Sequence, residues 1–150
     1  MPSIAYLSKL LSVFVLGAIE LWAAIPAGFI MKLDPVTTAV TSALGAISGA
    51  FIVLTLGEAA KKFFEKFKKK KETESKESFI KKVWNKYGAP GLGLLAPLIT
   101  GAPLGVILGV SLGADRKKLI LWINIGVIIW SVILTLAVVL GIAGAEKIRH

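Results

Sequence analysis

The sequence predicts an all-α, polytopic integral membrane protein, and three observations carry that class. Of the 150 residues, 55% are hydrophobic and the mean hydropathy is +0.77. The apolar residues gather into four long runs almost free of ionised side chains, and one linker between the second and third runs holds most of the basic excess. The runs are Leu10 to Met31 (interrupted only by Glu20), Pro35 to Gly57, Tyr87 to Ala114, and Leu119 to Ala145. Each meets the requirement of roughly 18 apolar residues for a membrane-embedded segment. A soluble fold would have to bury all four at once, and a domain of 150 residues lacks the interior for that. Lys9 ahead of an apolar stretch also fits a cleaved signal peptide, but Glu20 falls inside its apolar region.

The first run contains AAIPAG, Ala23 to Gly28. Proline lacks a backbone donor and clashes with the preceding turn, so a membrane helix stops or kinks there. A re-entrant hairpin turning near Pro26 is expected, although its return arm, Ala27 to Leu33, is short. Val36 to Leu56 then forms a regular span. Between Lys61 and Lys86 lie eleven lysines and four glutamates. Such loops stay on the cytoplasmic side and are drawn to anionic headgroups. Phe63, Phe64 and Phe67, then Ile80, Val83, Trp84 and Tyr87, recur there at helical spacing, which fits an amphipathic surface helix or a solvated linker with helical ends.

The third run holds LLAPLITG, Leu94 to Gly101, and a second proline at 103. The basic cluster Arg116, Lys117 and Lys118 belongs on the same side as the lysine linker, so the run between them must enter and leave on one side. A second re-entrant hairpin, turning near Pro97 to Pro103, satisfies this, with glycine supplying the unusual dihedrals. Leu119 to Gly141 is the second span.

A hairpin plus one span in each half makes the halves inverted repeats: a first repeat over 1–60, a lysine-rich cytoplasmic linker over 61–79, and a second repeat over 80–150. The whole forms a single membrane domain, multi-pass in the cell membrane, with its N-terminal end outside. Four plain helices kinked at their prolines are the alternative. Irregular backbone at membrane depth persists only where protein buries it or a wet cavity adjoins it.

Several functions lose their footing. There is no cysteine and the sole histidine is His150, so thiolate chemistry and a His/Cys metal site have no residues. No nucleophile elbow, phosphate loop or paired carboxylates occur, so an enzyme and a bound cofactor or metal are not expected. The formal charge of +9 would suggest a nucleic-acid partner in a soluble protein, but here it is concentrated in one membrane-side linker and none is expected.

Glu20 sits near the middle of its run. A charge at a membrane helix centre costs roughly 2.5 to 3.5 kcal/mol on insertion scales, which makes such a residue a functional candidate. Protonation removes the charge, and that cycle is what a proton-coupled carrier needs. The structural alternative is an acid bonded to backbone freed by Pro26 or Pro97. Thr100 can cap the arm that follows it, and Pro103 in that first turn costs no bond. Thr100 and the Gly101 backbone would then offer donors to a headgroup held between the turns at Pro26 and Pro97, or merely stabilise the turn. Asn124 either contacts substrate or bonds a neighbouring helix. Gly101, Gly105, Gly109 and Gly113 form one stripe, and Gly45 with Gly49 a shorter one; both suit close helix packing, within a subunit or at a dimer seam. Glu58, Asp34 and Asp115 fall at membrane edges as interfacial anchors. A subunit with two full spans encloses little alone, so a homo-oligomer is expected.

The runs ELWAAIPAG from Glu20, GAISGAFIVLTLG from Gly45, KYG ending at Gly88, APLITGAPLG from Ala96 to Gly105, and NIGVIIW from Asn124 to Trp130 resemble the small multidrug export family. The second half is also similar to the wider DedA (SNARE-associated, VTT) superfamily. The resemblance implies a membrane transporter, and for DedA-like members translocation of polyprenyl-phosphate or other lipids with proton dependence. This chain departs from it: Trp22 stands where the resemblance implies arginine, and Gly93 to Gly105 contains no arginine. Together these readings predict a proton-coupled transporter of a small amphipathic or lipid-phosphate substrate in contact with membrane lipids. The alternatives are a lipid translocator or scramblase without ion coupling, and a scaffold that recruits partners through the linker.

Overall fold

The computed structural model describes residues 3–57, 59, 62, 66, 70–99 and 101–149. Among these the secondary structure is helical, with no strand: α1 (Ile4–Ile19), α2 (Leu21–Ile30), α3 (Pro35–Leu56), α4 (Lys70–Ile99), α5 (Ala102–Ser111) and α6 (Arg116–Arg149). The expected all-α class with two long apolar helices is what the chain adopts. Among the described residues two helices, α3 and α6, are long and apolar enough to cross a membrane.

α1 starts where the Ser3 hydroxyl accepts the Tyr6 N–H at 3.2 Å. It ends at Glu20, whose backbone is extended (φ −145°, ψ 116°) and serves as both C-cap of α1 and N-cap of α2. The break therefore falls at Glu20 and not near Pro26, which lies inside α2. Pro26 is tolerated because the one bond it removes would have gone to the carbonyl of Trp22 in the first turn of α2. Val13, Ala24 and Leu33 share one buried cluster with Leu10, Leu16 and Met31 packed against it, so the end of α2 lies back beside the middle of α1. α2 and α5 are both ten residues long.

A tight turn follows. Lys32 adopts φ 62°, the Leu33 N–H donates to the Gly28 carbonyl, and the Asp34 carboxylate accepts the Thr37 N–H at 2.8 Å ahead of Pro35 in the first turn of α3. The buried face of α3 is mostly small: Thr38, Ser42, Ala43, Gly45, Ala46, Gly49, Ala50 and Val53. It lets α3 approach α1 at backbone distance. A β-carbon on Gly49 would stand 2.5 Å from the Ala18 carbonyl oxygen, and one on Gly45 would run into the Phe14 carbonyl. Phe14 lies by Gly45 and Ala18 by Gly49, so α1 and α3 run in the same direction, with α2 returning between them.

The second half is also helical. α4 is interrupted at Gly88 (φ 70°, ψ −151°), just before Pro90. Ile80 is buried in the main core with Trp84 packed on it, and Val83 is buried too, so these members of the expected surface helix face protein, while Tyr87 remains exposed. Phe63, Phe64 and Phe67 lie outside the described residues. After a second break at Gly101 (φ 82°, ψ 150°) comes α5, buried from Ala102 to Gly109, and a β-carbon on Gly109 would meet Leu92 of α4 and Leu119 of α6. The turn after α5 copies the first: Gly113 has φ 94°, the Ala114 N–H donates to the Gly109 carbonyl, and Asp115 accepts the Lys117 N–H. Gly28 against Thr38 and Gly109 against Leu119 are corresponding close contacts. Glu20 and Gly101, Gly28 and Gly109, Lys32 and Gly113, Asp34 and Asp115 are all separated by one constant interval.

Val53, Leu54 and Gly57 at the end of α3 share a cleft with Arg116 at the start of α6. The two long helices therefore run in opposite directions. Their outer faces are apolar, with Val40, Leu44, Phe51, Ile128, Val132, Ile133 and Leu136 all exposed. Exposed apolar side chains along two long helices suit a surface covered by lipid or another apolar medium.

Candidate functional site at the paired helix breaks

Both breaks have a local cause. Gly101 holds a positive φ that only glycine adopts without strain, and Pro103 in the first turn of α5 has the fixed φ and missing donor suited to a helix start. Glu20 keeps an extended backbone, its N–H donating to the Leu16 carbonyl at 2.7 Å while its own carbonyl accepts the Ala24 N–H at 3.2 Å.

Tertiary packing then brings the breaks together. A β-carbon on Gly101 would lie 2.5 Å from the Ile19 carbonyl oxygen and 3.8 Å from Cγ of Glu20. The stem of the Glu20 side chain thus passes over the start of α5, where the first backbone N–H groups of a helix have no acceptor within it and the dipole favours negative charge. Glu20 is half-buried: Leu21 beside it is 1% exposed, while Ile19 and Trp22 on its other side are 45% and 50% exposed. Glu20 thus lies between a buried and an exposed neighbour.

The other predicted residues are distributed around this contact. Pro97 is buried in the last part of α4, and Pro26 is half-buried in α2. Thr100 lies outside the described residues, as does Glu58. At the seam between α4 and α6 a β-carbon on Gly93 would meet Trp122 and Ile123, and one on Gly126 would meet the Gly93 carbonyl; Asn124 is half-buried on the same helix α6. Its Oδ1 is buried and finds no hydrogen-bond partner among the described residues. Gly105 is buried within α5, and Gly45, Gly49 and Gly109 sit at the close approaches described above. The stripe ends there. Gly113 lies in the turn with open space around it, and its φ explains the glycine. Asp34 and Asp115 are exposed caps at helix starts. The Thr37 hydroxyl, and after it the Thr37 N–H, hold the Asp34 carboxyl below its ordinary range.

Sequence reasoning missed three contributors. Trp130 donates its indole N–H to the Leu94 carbonyl, next to the Gly93 carbonyl that Pro97 deprives of its helical donor. Thr38 and Ser42 are fully buried on α3, and their hydroxyl oxygens have no partner among the described residues. Their spacing of one helical turn, continued by Ala46 and Gly49, was the available signal. Among the described residues no group of three or more His, Cys, Asp or Glu side chains gathers to hold a metal.

Two candidate spans, an apolar outer surface and a half-buried acid at a meeting of interrupted helices define a membrane protein of the kind that embeds irregular backbone in its interior. Residues 20–133, a stretch opening on Glu20 itself, match the sequence profile of the family described as "Putative small multi-drug export protein", and the chain belongs to that family. No curated protein and no solved structure matches it.

Proposed function

We propose that the protein is a membrane transporter in which a small amphipathic substrate is exchanged against a proton carried by Glu20, at the level where the two helix breaks meet. The observation that carries this reading is the contact of Gly101 with Ile19 and the Glu20 stem. It sets the stem of a half-buried acid beside a helix start, where the dipole favours negative charge. Each break with its short return helix acts as a re-entrant hairpin, and the two halves act as inverted repeats; the opposite directions of α3 and α6 and the constant interval between corresponding turn residues support this. Transporters built that way place their sites at the repeat interface, on discontinuous helices. Two spans enclose little on their own, so the working unit is a homo-oligomer in the cell membrane, with the lysine linker cytoplasmic.

Flux of a fluorescent amphipathic cation in proteoliposomes tests the mechanism. An imposed pH gradient drives uptake in the natural protein, and Glu20→Gln leaves transport indifferent to the gradient. Coupling that persists in Glu20→Gln removes this residue from the mechanism.

A second reading, translocation of lipid without ion coupling, is favoured by the exposure of Ile19 and Trp22, which opens the break sideways toward the bilayer. Movement of a fluorescent phospholipid between leaflets with no gradient present distinguishes it.

A further inference from the structure

A cleft of about 150 Å³ lies well apart from the paired breaks in sequence, at the end of the bundle where α3 finishes and α6 begins. Val53, Leu54 and Gly57 form one wall; Val106, Ile107, Val110 and Ser111 of α5 form another; Arg116 stands at its mouth. The lining is apolar apart from the Ser111 hydroxyl, which is already committed to the Ile107 carbonyl at 2.8 Å, the backbone at Gly57, and the Arg116 side chain. Among the described residues the start of α6 carries a run of basic side chains. Arg116, Lys117 and Lys118 are consecutive and exposed, Lys62 and Lys66 follow α3 on the linker, and the one nearby described carboxylate, Asp115, caps the Lys117 N–H.

An apolar slot ending in an exposed guanidinium, placed where two candidate spans reach the edge of their apolar stretch, matches one chemistry. It suits an acyl chain continuous with an anionic phosphate headgroup. We infer that this cleft holds an anionic phospholipid of the surrounding bilayer as a resident ligand, with the upper part of one chain between α3 and α5 and the phosphate on Arg116. Arginine meets phosphate in a bidentate fork, and flanking lysines add long-range attraction. The cleft has room for only a short piece of chain. The remainder follows the exposed apolar face of α3, where Ile52 and Leu56 are more than half exposed. Bound there, the lipid ties the end of α3 to α5 and α6, so it stabilises the fold without taking part in transport. This inference does not depend on the transport reading.

The test uses the purified full chain in mild detergent. Phosphatidylglycerol, phosphatidylcholine and sn-glycerol 3-phosphate are added separately, and native mass spectrometry is combined with thermal unfolding. Phosphatidylglycerol is expected to remain at one molecule per subunit and to raise the unfolding midpoint, whereas the other two do neither. Arg116→Gln weakens retention about tenfold, as does Val110→Trp, which fills the slot and leaves every charge in place; Lys118→Gln has little effect. Circular dichroism verifies that each variant is folded. Equal retention of both phospholipids, equal binding of glycerol phosphate, or unchanged retention in Arg116→Gln and Val110→Trp overturns the inference. So does a Val110→Trp variant that loses stability without any dependence on phosphatidylglycerol, which would mean that the chain's own linker or a second copy fills the cleft.

Discussion

Gly101 stands so close to Ile19 that one added carbon on it would come within 2.5 Å of the Ile19 carbonyl oxygen. The end of α1 and the beginning of α5 are thus joined at backbone level, with the side chain of Glu20 as the next atom group outward. A displacement of either break must be felt by the other, because no flexible side chain lies between them.

Gly101→Ala should therefore be costly on two grounds. A non-glycine residue with positive φ loses roughly 1 to 2 kcal/mol, and the clash with Ile19 adds to it, for a total of about 2 to 4 kcal/mol. Gly113→Ala has the φ cost alone, since open space surrounds that position. Thermal unfolding in detergent should order the variants with Gly101→Ala well below Gly113→Ala and the natural protein highest. Equal losses would mean that the contact between the breaks contributes nothing.

The seam between α1 and α3 gives a second expectation. Gly45→Val forces a branched side chain against the Phe14 carbonyl, and overpacking of this kind costs about 1 to 3 kcal/mol. Gly141→Val, at a glycine with nothing within 4 Å of a β-carbon, should leave unfolding unchanged. A tolerant Gly45 would show that α1 does not pack against α3 at Phe14.

Lys32 occupies the left-handed conformation that Gly113 occupies in the second half. Giving the first turn the residue of the second, Lys32→Gly, should stabilise the protein by roughly 0.5 to 1 kcal/mol, because strain at φ 62° outweighs the added freedom of the unfolded chain. A rise in the unfolding midpoint is the expected result; a fall would mean that the Lys32 side chain makes a favourable contact that outweighs its strained backbone.

Asp34 carries a pH dependence whose sign follows from its hydrogen bonds. The Thr37 hydroxyl and N–H favour the ionised carboxylate and lower its pKa from 3.8, so its contribution to the start of α3 is complete above the unfolded value and disappears as pH falls through the lower, folded value. Asp34→Asn keeps a capping side chain and should abolish that acid-side loss while changing little at neutral pH. Carbon-13 NMR titration of the labelled Asp34 carboxyl measures it; a midpoint at or above 3.8 contradicts the cap.

Much of this was legible in the linear chain, for reasons that are local. Four long apolar runs can only be helices in an apolar medium, and Glu20 was conspicuous because a lone carboxylate in such a run has no cheap explanation. The stretch from Pro97 to Pro103 marked the second break because proline and glycine there constrain the backbone directly. The first break was misplaced for the complementary reason: Pro26 looks like a breaker, yet it comes early enough in α2 to remove a single bond, while Glu20 has no intrinsic preference that announces an extended backbone. The spacing of Ile80 and Val83 fits a membrane-surface helix or a linker with helical ends, and not the protein core that buries them, because helical spacing shows that a face is apolar but not what covers it.

Amino-acid order alone determined the medium, the helical class, the two candidate spans and the rarity of the acid, since each follows from hydropathy and from the conformational limits of single residues. Which backbone break answers which, that α3 and α6 run in opposite directions, and that Glu20 comes to rest beside Gly101 were decided by packing. Those relationships join residues far apart in the chain through the close approach of small side chains, and no property of one segment contains the shape of the segment it will meet.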